Sequence, residues 1–297
     1  MRIRVIGVPM DLGADRRGVD IGASAIRYAG LNDQLRHLGY EVYDTGNVVV
    51  PQPESQPAGS PHIKYLEPIV KVAEELSSAV TAALKENEFP LILGGDHSIA
   101  LGSIAGVARV HPDVGVLWID AHADFNTTET TPSGNIHGMI LAALAGIGDS
   151  RLTELGGWSP KIDKRKLVII GARALDAGER DLLRHHNIHV FTTSDIDQRG
   201  MSQVIHEALA IAGQGNNGIH LSLDMDSLDP SEAPGVGTPI RGGLTYREAH
   251  LAMELIADAG HLISMDVVEV NPILDRENAT AQLAVELVLS ALGKKIL

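Results

Sequence analysis

The segment WIDAHADFN places Asp120, His122 and Asp124 at every second position after an apolar run. Because side chains alternate between the two faces of an extended chain, this spacing predicts that all three lie on one face. Three ionisable groups on one face are costly unless something positive binds them. The segment therefore indicates a metal site in which carboxylates and an imidazole are the ligands.

Similar polar clusters follow three other apolar runs. LILGGDHS carries His97, IHLSLDMDSLDP carries Asp224 and Asp226, and ISMDVVEVNP carries Glu269. In open parallel sheets, ligands bind outside the carboxyl ends of the strands, so we expect these run ends to line one crevice. Taken alone, His97 fits a capping or core histidine, and the two aspartates fit turn residues. Taken together, they would place too many uncompensated carboxylates in one crevice.

The charge of the ligand set indicates how many ions it binds. Its four aspartates contribute four negative charges and its two histidines are neutral ligands, so two divalent cations balance the set. Oxygen-rich sites with a few imidazoles and no thiolate suit Mn²⁺, although Fe²⁺ and Co²⁺ fit the same ligands. The predicted metal ligands are His97, Asp120, His122, Asp124, Asp224 and Asp226.

A pair of metals about 3.5–4 Å apart holds a bridging water and lowers its pKa toward neutrality, which produces a hydroxide suited to hydrolysis. The neutral cage plus hydroxide is negative and complements a cationic substrate. Glu269 is a candidate partner for a guanidinium group, because a planar carboxylate binds this group in a bidentate manner. His137, in SGNIHGM, is a candidate proton shuttle, since histidine titrates near neutral pH; the alternative is a surface or capping histidine.

The composition excludes several classes of function. A net charge of −14 over 297 residues argues against a nucleic-acid partner, which requires clustered Lys and Arg. The cysteine count of zero excludes disulfides, thiolate ligands and any cysteine nucleophile. No apolar run approaches the ~18 residues of a membrane-spanning helix, and the N-terminus does not resemble a signal peptide. We therefore expect a cytoplasmic protein with a small-molecule substrate and no membrane partner.

Short apolar runs alternate with helical patterns along the whole chain, which favours one largely parallel sheet with helices on both faces. The proline-rich segment Val48–Pro61 reads as a surface loop, and we expect residues 1–297 to form a single α/β domain. The predicted strands are Ile3–Val8, Glu41–Thr45, Pro90–Leu93, Val114–Asp120, Lys166–Gly171, Ile188–Phe191, Ile219–Asp224 and Leu262–Val268, and the clearest helices are Ile63–Glu86, Met201–Ala212, Thr245–Ala257 and Ala279–Leu292.

The motifs GGDHS, DAHAD and SLDMDSLDP resemble the metal-ligand motifs of the ureohydrolases. GVPMDLGADRRGVDIGASAIR, TPSGNIHG, GVGTPIRGGLTYREAH and VVEVNP resemble the arginase family in that family's order, so the resemblance covers essentially the whole chain. It implies a three-layer α/β/α sandwich on a central eight-stranded, mostly parallel sheet, the arginase/deacetylase-like fold. It also implies hydrolysis of L-arginine to L-ornithine and urea, two Mn²⁺ per subunit, and a homo-oligomer, either a trimer or a hexamer.

The resemblance also assigns catalytic roles. The metal-bridging hydroxide attacks the guanidinium carbon, and Asp124 passes its proton to the departing amine. His137 assists proton transfer, and Glu269 orients the guanidinium. The two implied ligand sets, which share Asp120 and Asp224, are His97, Asp120, Asp124 and Asp224 for one ion, and His122, Asp120, Asp224 and Asp226 for the other.

Further positions match those that recognise the amino-acid end of the substrate in this family. The sequence departs from the family pattern at Ala174 and Ala177, which replace Asp and Pro beside the α-amino site, and at Ala23, which replaces a Pro. The matching positions are Asn126, Thr131, Ser133 and Asn135 for the α-carboxylate, Asp176 and Glu179 for the α-amino group, and Thr238 beside the metal-binding floor.

Two alternatives remain open. The metal motifs alone also fit an agmatinase or a guanidinobutyrase-type ureohydrolase acting on a related guanidine. A non-catalytic family member that senses arginine or stores metal is the second alternative, although the complete ligand set argues against it. Cysteine-dependent guanidine chemistry, as in arginine deiminases and amidinotransferases, is unavailable to a chain without cysteine.

Overall fold

A computed structural model describes residues 1–216 and 218–295 of the chain. This part contains ten β-strands and eleven α-helices, joined by loops, several of which include a 3₁₀ turn. The strands are β1 (Arg2–Val8), β2 (Glu41–Asn47), β3 (Gly59–Ser60), β4 (Ile63–Lys64), β5 (Glu88–Gly94), β6 (Gly115–Ile119), β7 (Leu167–Ala172), β8 (His189–Thr192), β9 (Ile219–Asp224) and β10 (Leu262–Val268). The helices are α1 (Gly22–Tyr28), α2 (Leu31–His37), α3 (Leu66–Lys85), α4 (Ala100–Val110), α5 (Ile140–Leu144), α6 (Ser150–Thr153), α7 (Ala177–His185), α8 (Thr193–Arg199), α9 (Met201–Ala212), α10 (Tyr246–Ala259) and α11 (Ala279–Ala291).

Eight of the strands form one sheet in the spatial order β2-β1-β5-β10-β9-β6-β7-β8. Every pairing in this sheet is parallel. Strands β3 and β4 form a separate antiparallel hairpin. The predicted α/β fold on a central eight-stranded sheet is therefore confirmed.

Helices cover both faces of the sheet, because its strands are apolar on both sides. Along β6, for example, Leu117 packs into one hydrophobic core and Trp118 into the other. Helices α1, α2 and α8 to α11 contribute to the first core, and α3 to α7 contribute to the second. This arrangement is a three-layer α/β/α sandwich. None of the helices in the described ranges combines the length and apolarity needed to cross a bilayer.

All eight predicted strands are present; two have the predicted bounds, and the ends of the other six shift by at most two residues. The predicted helix Ile63–Glu86 was wrong at its start, because Ile63 and Lys64 pair with β3 and Tyr65 adopts a left-handed φ of 53°. The helix begins only at Leu66. The proline-rich segment Val48–Pro61 lies at the surface as predicted, with a 3₁₀ turn at Pro53–Ser55 before β3.

A pair of glycines connects β5 to the loop that carries His97. A Cβ atom on Gly95 would meet backbone atoms of Val8, at the end of β1, and of Met10, including the Met10 nitrogen at 2.6 Å. A Cβ atom on Gly94 would meet mainly side-chain ends, such as the Ile99 Cδ1 at 3.0 Å. The backbone N–H of Asp96 donates to the Met10 carbonyl at 2.8 Å. Gly95 therefore allows the ends of β1 and β5 to approach closely beside the site.

These contacts predict that Gly95→Ala destabilises the protein more than the neighbouring control Gly94→Ala. Backbone atoms cannot move aside as side-chain ends can, and overpacking of a rigid interior costs about 1–3 kcal/mol. Denaturant unfolding of both variants measures the difference. Equal losses of unfolding free energy would contradict the tight approach of the two strand ends.

Candidate metal centre and cavity

The predicted site residues follow four strands that are neighbours in the middle of the sheet, β5, β10, β9 and β6. His97 follows β5, Glu269 follows β10, and Asp120 follows β6. Asp224 is the last residue of β9. Because all four strands are parallel, their carboxyl ends lie at one edge of the sheet. The structure therefore brings the four clusters together, as the sequence predicted.

One group of possible metal ligands centres on His97, whose side chain is fully buried. Its Nδ1 lies 3.2 Å from Asp120 Oδ2, 3.2 Å from Asp124 Oδ2 and 3.1 Å from Asp224 Oδ2. Its Nε2 lies 2.8 Å from the Ser222 hydroxyl. When Nε2–H donates to Ser222, the Nδ1 lone pair faces three carboxylate oxygens, and this Nδ1 has no hydrogen-bond partner among the described residues. A positive charge between this nitrogen and the three carboxylate oxygens would stabilise the arrangement.

A second group shares Asp120 with the first. His122 Nδ1 lies 3.4 Å from Asp120 Oδ1 and 3.1 Å from Asp226 Oδ2. Asp226 Oδ2 also accepts a hydrogen bond from the Thr238 hydroxyl at 2.8 Å. The two groups in which every ligand atom lies within 4.8 Å of the others are His97, Asp120 and Asp224, and Asp120, His122 and Asp226.

Burial and mutual repulsion dominate the electrostatics of this cluster. Burial raises the pKa of Asp224 well above its usual value, and the negative charges of Asp226 and Asp120 raise it further. Burial opposes the charged form of His122, but the negative charges and hydrogen bonds of Asp226 and Asp120 hold its pKa well above the usual value. Both pKa shifts indicate that positive charge between the carboxylates and the imidazole nitrogens would stabilise the cluster.

The donor set fits a divalent metal. Three carboxylates and two imidazole nitrogens make up the two groups, and Asp124 adds a fourth carboxylate beside His97; the chain has no cysteine, so no thiolate competes for an ion. Hard, oxygen-rich sites with a few imidazoles suit manganese better than zinc. The structure thus contains a His/Asp cluster suited to a metal cofactor.

The backbone does not stay extended through DAHAD. Strand β6 ends at Ile119, and Asp124 adopts a left-handed φ of 49°. The simple alternation of faces expected from Asp120 to Asp124 was therefore wrong. The three side chains converge because the chain turns, and His122 lies in a different ligand group from Asp124.

Sequence reasoning missed the residue that orients the first group, Trp118. Its indole ring stacks on the His97 ring with centroids 3.8 Å apart and planes 5° apart, and its Nε1–H donates to Asp120 Oδ2 at 2.9 Å. Trp118 lies two residues before Asp120, so the period of two along β6 could have revealed that both share a face. Partners of this kind fix the orientation of metal ligands.

Glu269 and His137 form a pair beside the first ligand group. Glu269 Oε1 accepts a hydrogen bond from the backbone N–H of His97 at 2.9 Å and lies 3.1 Å from His137 Nδ1. Burial opposes the charged form of His137, but its hydrogen bond with Glu269 raises the pKa of His137 to about 9. Glu269 adopts a left-handed φ of 64°, a strained conformation that its buried partners hold in place.

A cavity of about 360 Å³ opens over the cluster. His122, Asp124 and His137 line it, together with six of the seven predicted substrate-binding residues. The seventh, Asn135, is buried behind the lining, where its Oδ1 accepts a hydrogen bond from Lys64 Nζ at 3.1 Å. The six lining residues are Asn126, Thr131, Ser133, Asp176, Glu179 and Thr238.

Hydrogen bonds connect the two walls of the cavity. Asp176 Oδ2 accepts from the side-chain amide of Asn126 at 3.0 Å. Glu179 caps α7 together with Asp176, and its Oε1 accepts from the backbone N–H of Phe125 at 2.9 Å. Burial raises the pKa of Glu179 to about 7. Glu179 therefore supports the loop after Asp124 in addition to lining the cavity.

Comparison with known proteins agrees with this site. Residues 1–293 match the sequence model of the arginase family. The arginase of Brevibacillus brevis is 53% identical over 293 residues, covering 99% of this chain and 98% of the relative. The crystal structure of an arginase from Bacillus cereus, 51% identical, superposes with a TM-score of 0.96 over 100% of both chains. That of the Bacillus caldovelox arginase, 50% identical, gives 0.97 over 99% of both.

The fold and the His/Asp cluster define an α/β protein with a metal site at the carboxyl ends of its central strands. The chain belongs to the arginase family, as the family match over nearly all of its length shows.

The pairing of Glu269 with His137 predicts that Glu269→Gln lowers the pKa of His137 from about 9 toward its ordinary value, about 6.5. Because the folded-state pKa exceeds the unfolded one, the pair stabilises the fold fully below pH about 6.5, and this contribution is lost as the pH rises through about 9. Histidine NMR titration of metal-depleted protein measures the pKa, and the exposed Glu75→Gln is the control. An unchanged His137 pKa in Glu269→Gln would refute the assignment.

Proposed function

We propose that the protein hydrolyses L-arginine to L-ornithine and urea, using two manganese ions per subunit. The observation that carries the proposal is the pair of His/Asp groups that share Asp120 beneath a polar cavity. Relatives about half identical over nearly the whole chain are arginases, which supports arginine as the substrate. On this view residues 1–297 act as one catalytic domain.

The ligand groups define where the ions would be held. Asp120 belongs to both groups, and we propose that Asp224 is shared in the same way. When bound, the pair of ions would supply a water of lowered pKa as the nucleophile for the guanidinium carbon. The proposed ligands are His97, Asp120, Asp124 and Asp224 for one ion, and His122, Asp120, Asp224 and Asp226 for the other.

The remaining groups would orient the substrate and move protons. Glu269 Oε1 already accepts from His97 N–H and contacts His137, so Oε2 is the atom left to accept from the guanidinium. Asp124 lines the cavity beside the first ligand group, so we propose that it takes the proton of the attacking water and passes it to the departing amine. His137 lines the cavity and would exchange protons with solvent.

The wall of the cavity would recognise the amino-acid end of the substrate. Asn126, Thr131 and Ser133 offer neutral donors for an α-carboxylate, and Asp176 offers a negative charge for an α-ammonium group. A lysine ammonium can only donate hydrogen bonds, so the contact with Lys64 Nζ orients Asn135 with its Oδ1 toward the lysine. The Nδ2 group of Asn135 therefore points away from Lys64. We propose that Asn135 supports the α-carboxylate loop in this way.

Release of urea tests the proposal directly. We expect turnover of L-arginine to exceed that of agmatine, which lacks the α-carboxylate. Prolonged chelation should abolish urea release, and added Mn²⁺ should restore it. Dominant hydrolysis of agmatine would instead assign a different ureohydrolase activity, and urea release that no chelator affects would contradict the metal mechanism.

Loss of the Asp176 charge should weaken the hold on the α-ammonium group. A hydrogen bond to a charged group contributes about 1.5–3 kcal/mol, so Asp176→Asn should reduce kcat/KM for L-arginine by about 10- to 100-fold, mainly through KM. Asp181→Asn, exposed on the same helix, is the matched control. Steady-state kinetics with L-arginine and with 5-guanidinopentanoate, which is arginine without the amino group, measure the effect. Equal losses for both substrates would argue against α-amino recognition by Asp176.

Assembly stays a prediction from the family resemblance, and the cytoplasmic location stays a prediction from the sequence. We propose a homo-oligomer, either a trimer or a hexamer, that acts in the cytoplasm on a small-molecule substrate. A net charge of −14 also makes nucleic acid an unfavourable partner.

A further inference from the structure

Among the residues that the structure describes, Arg173 donates hydrogen bonds from its guanidinium only to backbone carbonyl oxygens. Its Nη2 donates to Asp226 O at 2.8 Å, to Leu228 O at 3.1 Å and to Ile240 O at 2.8 Å. Its Nη1 donates to Ser227 O at 2.9 Å. Arginine usually pairs its planar fork with a carboxylate or a phosphate. In this protein the guanidinium of Arg173 instead joins the loop after β9 to the loop that contains Ile240 through hydrogen bonds to both.

The backbone of Arg173 is attached to the other loop of the second ligand group. The N–H groups of Arg173 and Ala174 donate to the carbonyl of Ala121 at 2.8 and 3.0 Å. Ala121 lies between Asp120 and His122 in the sequence. One residue therefore contacts both loops that supply the group Asp120, His122 and Asp226, and it touches them through two independent sets of hydrogen bonds.

The surroundings of Arg173 are shaped to let the guanidinium approach. A Cβ atom on Gly243 would meet Arg173 Nη2 at 2.6 Å and would also meet the backbone of Leu228. Burial lowers the pKa of Arg173, but the nearby charges of Asp226 and Asp120 oppose this change, so the side chain stays cationic beside the acidic cluster. The absence of a side chain at Gly243 therefore leaves room for the Arg173 guanidinium beside Leu228.

We propose that Arg173 is the positioning residue of the second metal-binding group, holding Asp226 at the distance from His122 and Asp120 that a shared ion requires. The first group depends on it less, because His97 is oriented by Trp118 and Ser222 and its loop is joined to Glu269. The inference rests on the proposed function, which supplies the two ions. It predicts that removing the Arg173 guanidinium weakens the binding of the second ion more than that of the first.

Arg173→Lys keeps the charge and removes the planar fork. Loss of a group that orients a metal ligand typically lowers affinity about 10- to 100-fold. We therefore expect the second Mn²⁺ to bind about 10- to 100-fold more weakly, while the first binds within about threefold of the unaltered protein. The control is Arg109→Lys, which removes a guanidinium that donates to the Gly156 carbonyl away from the site.

Titration of metal-depleted protein with Mn²⁺ measures both affinities, with free Mn²⁺ followed by electron paramagnetic resonance. Arg173→Lys that binds both ions like the unaltered protein, or that loses affinity for both equally, would overturn the inference. Arg173→Gln is the second variant, because its planar amide keeps one donor group for these carbonyls and loses the others. If Arg173→Lys does not fold, retention of both affinities by Arg173→Gln overturns the inference and selective loss supports it.

The same titration separates the two proposals. If the unaltered protein binds fewer than two ions per subunit, the proposed function fails and the inference falls with it. If the unaltered protein binds two ions and releases urea from L-arginine, while Arg173→Lys binds both as tightly, only the role of Arg173 is wrong.

Discussion

Four aspartates of this chain lie so close together in the interior that they stay ionised only beside positive charge. The carboxylate oxygens of Asp120, Asp124 and Asp224 surround one imidazole nitrogen at 3.1–3.2 Å, and Asp226 lies 3.1 Å from another. Removing such charges from water is costly, and their mutual repulsion adds to the cost. Divalent ions would remove this repulsion and would use the same oxygens as ligands. The geometry of the cavity and the proposed chemistry both follow from this arrangement.

The sheet makes the arrangement possible because four parallel strands end side by side. The loops after these strands are then held by contacts that are not themselves ligands. Trp118 fixes the His97 ring from below, Glu269 accepts the backbone N–H of His97, and Arg173 joins the loops of the second group. Asp124 and Glu269 also keep left-handed backbone conformations that residues other than glycine rarely adopt. A rigid, locally strained edge of this kind can preorganise ligands before ions bind.

Much of this could be predicted from the sequence, because hydrophobic periodicity marks the strands and ionisable residues at their ends mark the site. The eight strands and the convergence of the clusters follow from those two signals. The turn at Asp124 could not be predicted, since a left-handed φ at an aspartate leaves no signal in the spacing. Arg173 and Ser222 escaped notice because their partners are distant in the sequence. The hairpin of β3 and β4 before α3 could not be predicted, because the residues of β4 continue the helical pattern of apolar positions.

Diffraction from crystals grown with Mn²⁺, with data collected on both sides of the manganese absorption edge, tests the central claim most directly. We expect two anomalous peaks per subunit, one among His97, Asp120, Asp124 and Asp224 and one among Asp120, His122, Asp224 and Asp226. The ions should be about 3.5–4 Å apart, as in other two-metal hydrolytic sites. A single peak, or none, in protein saturated with Mn²⁺ would contradict it.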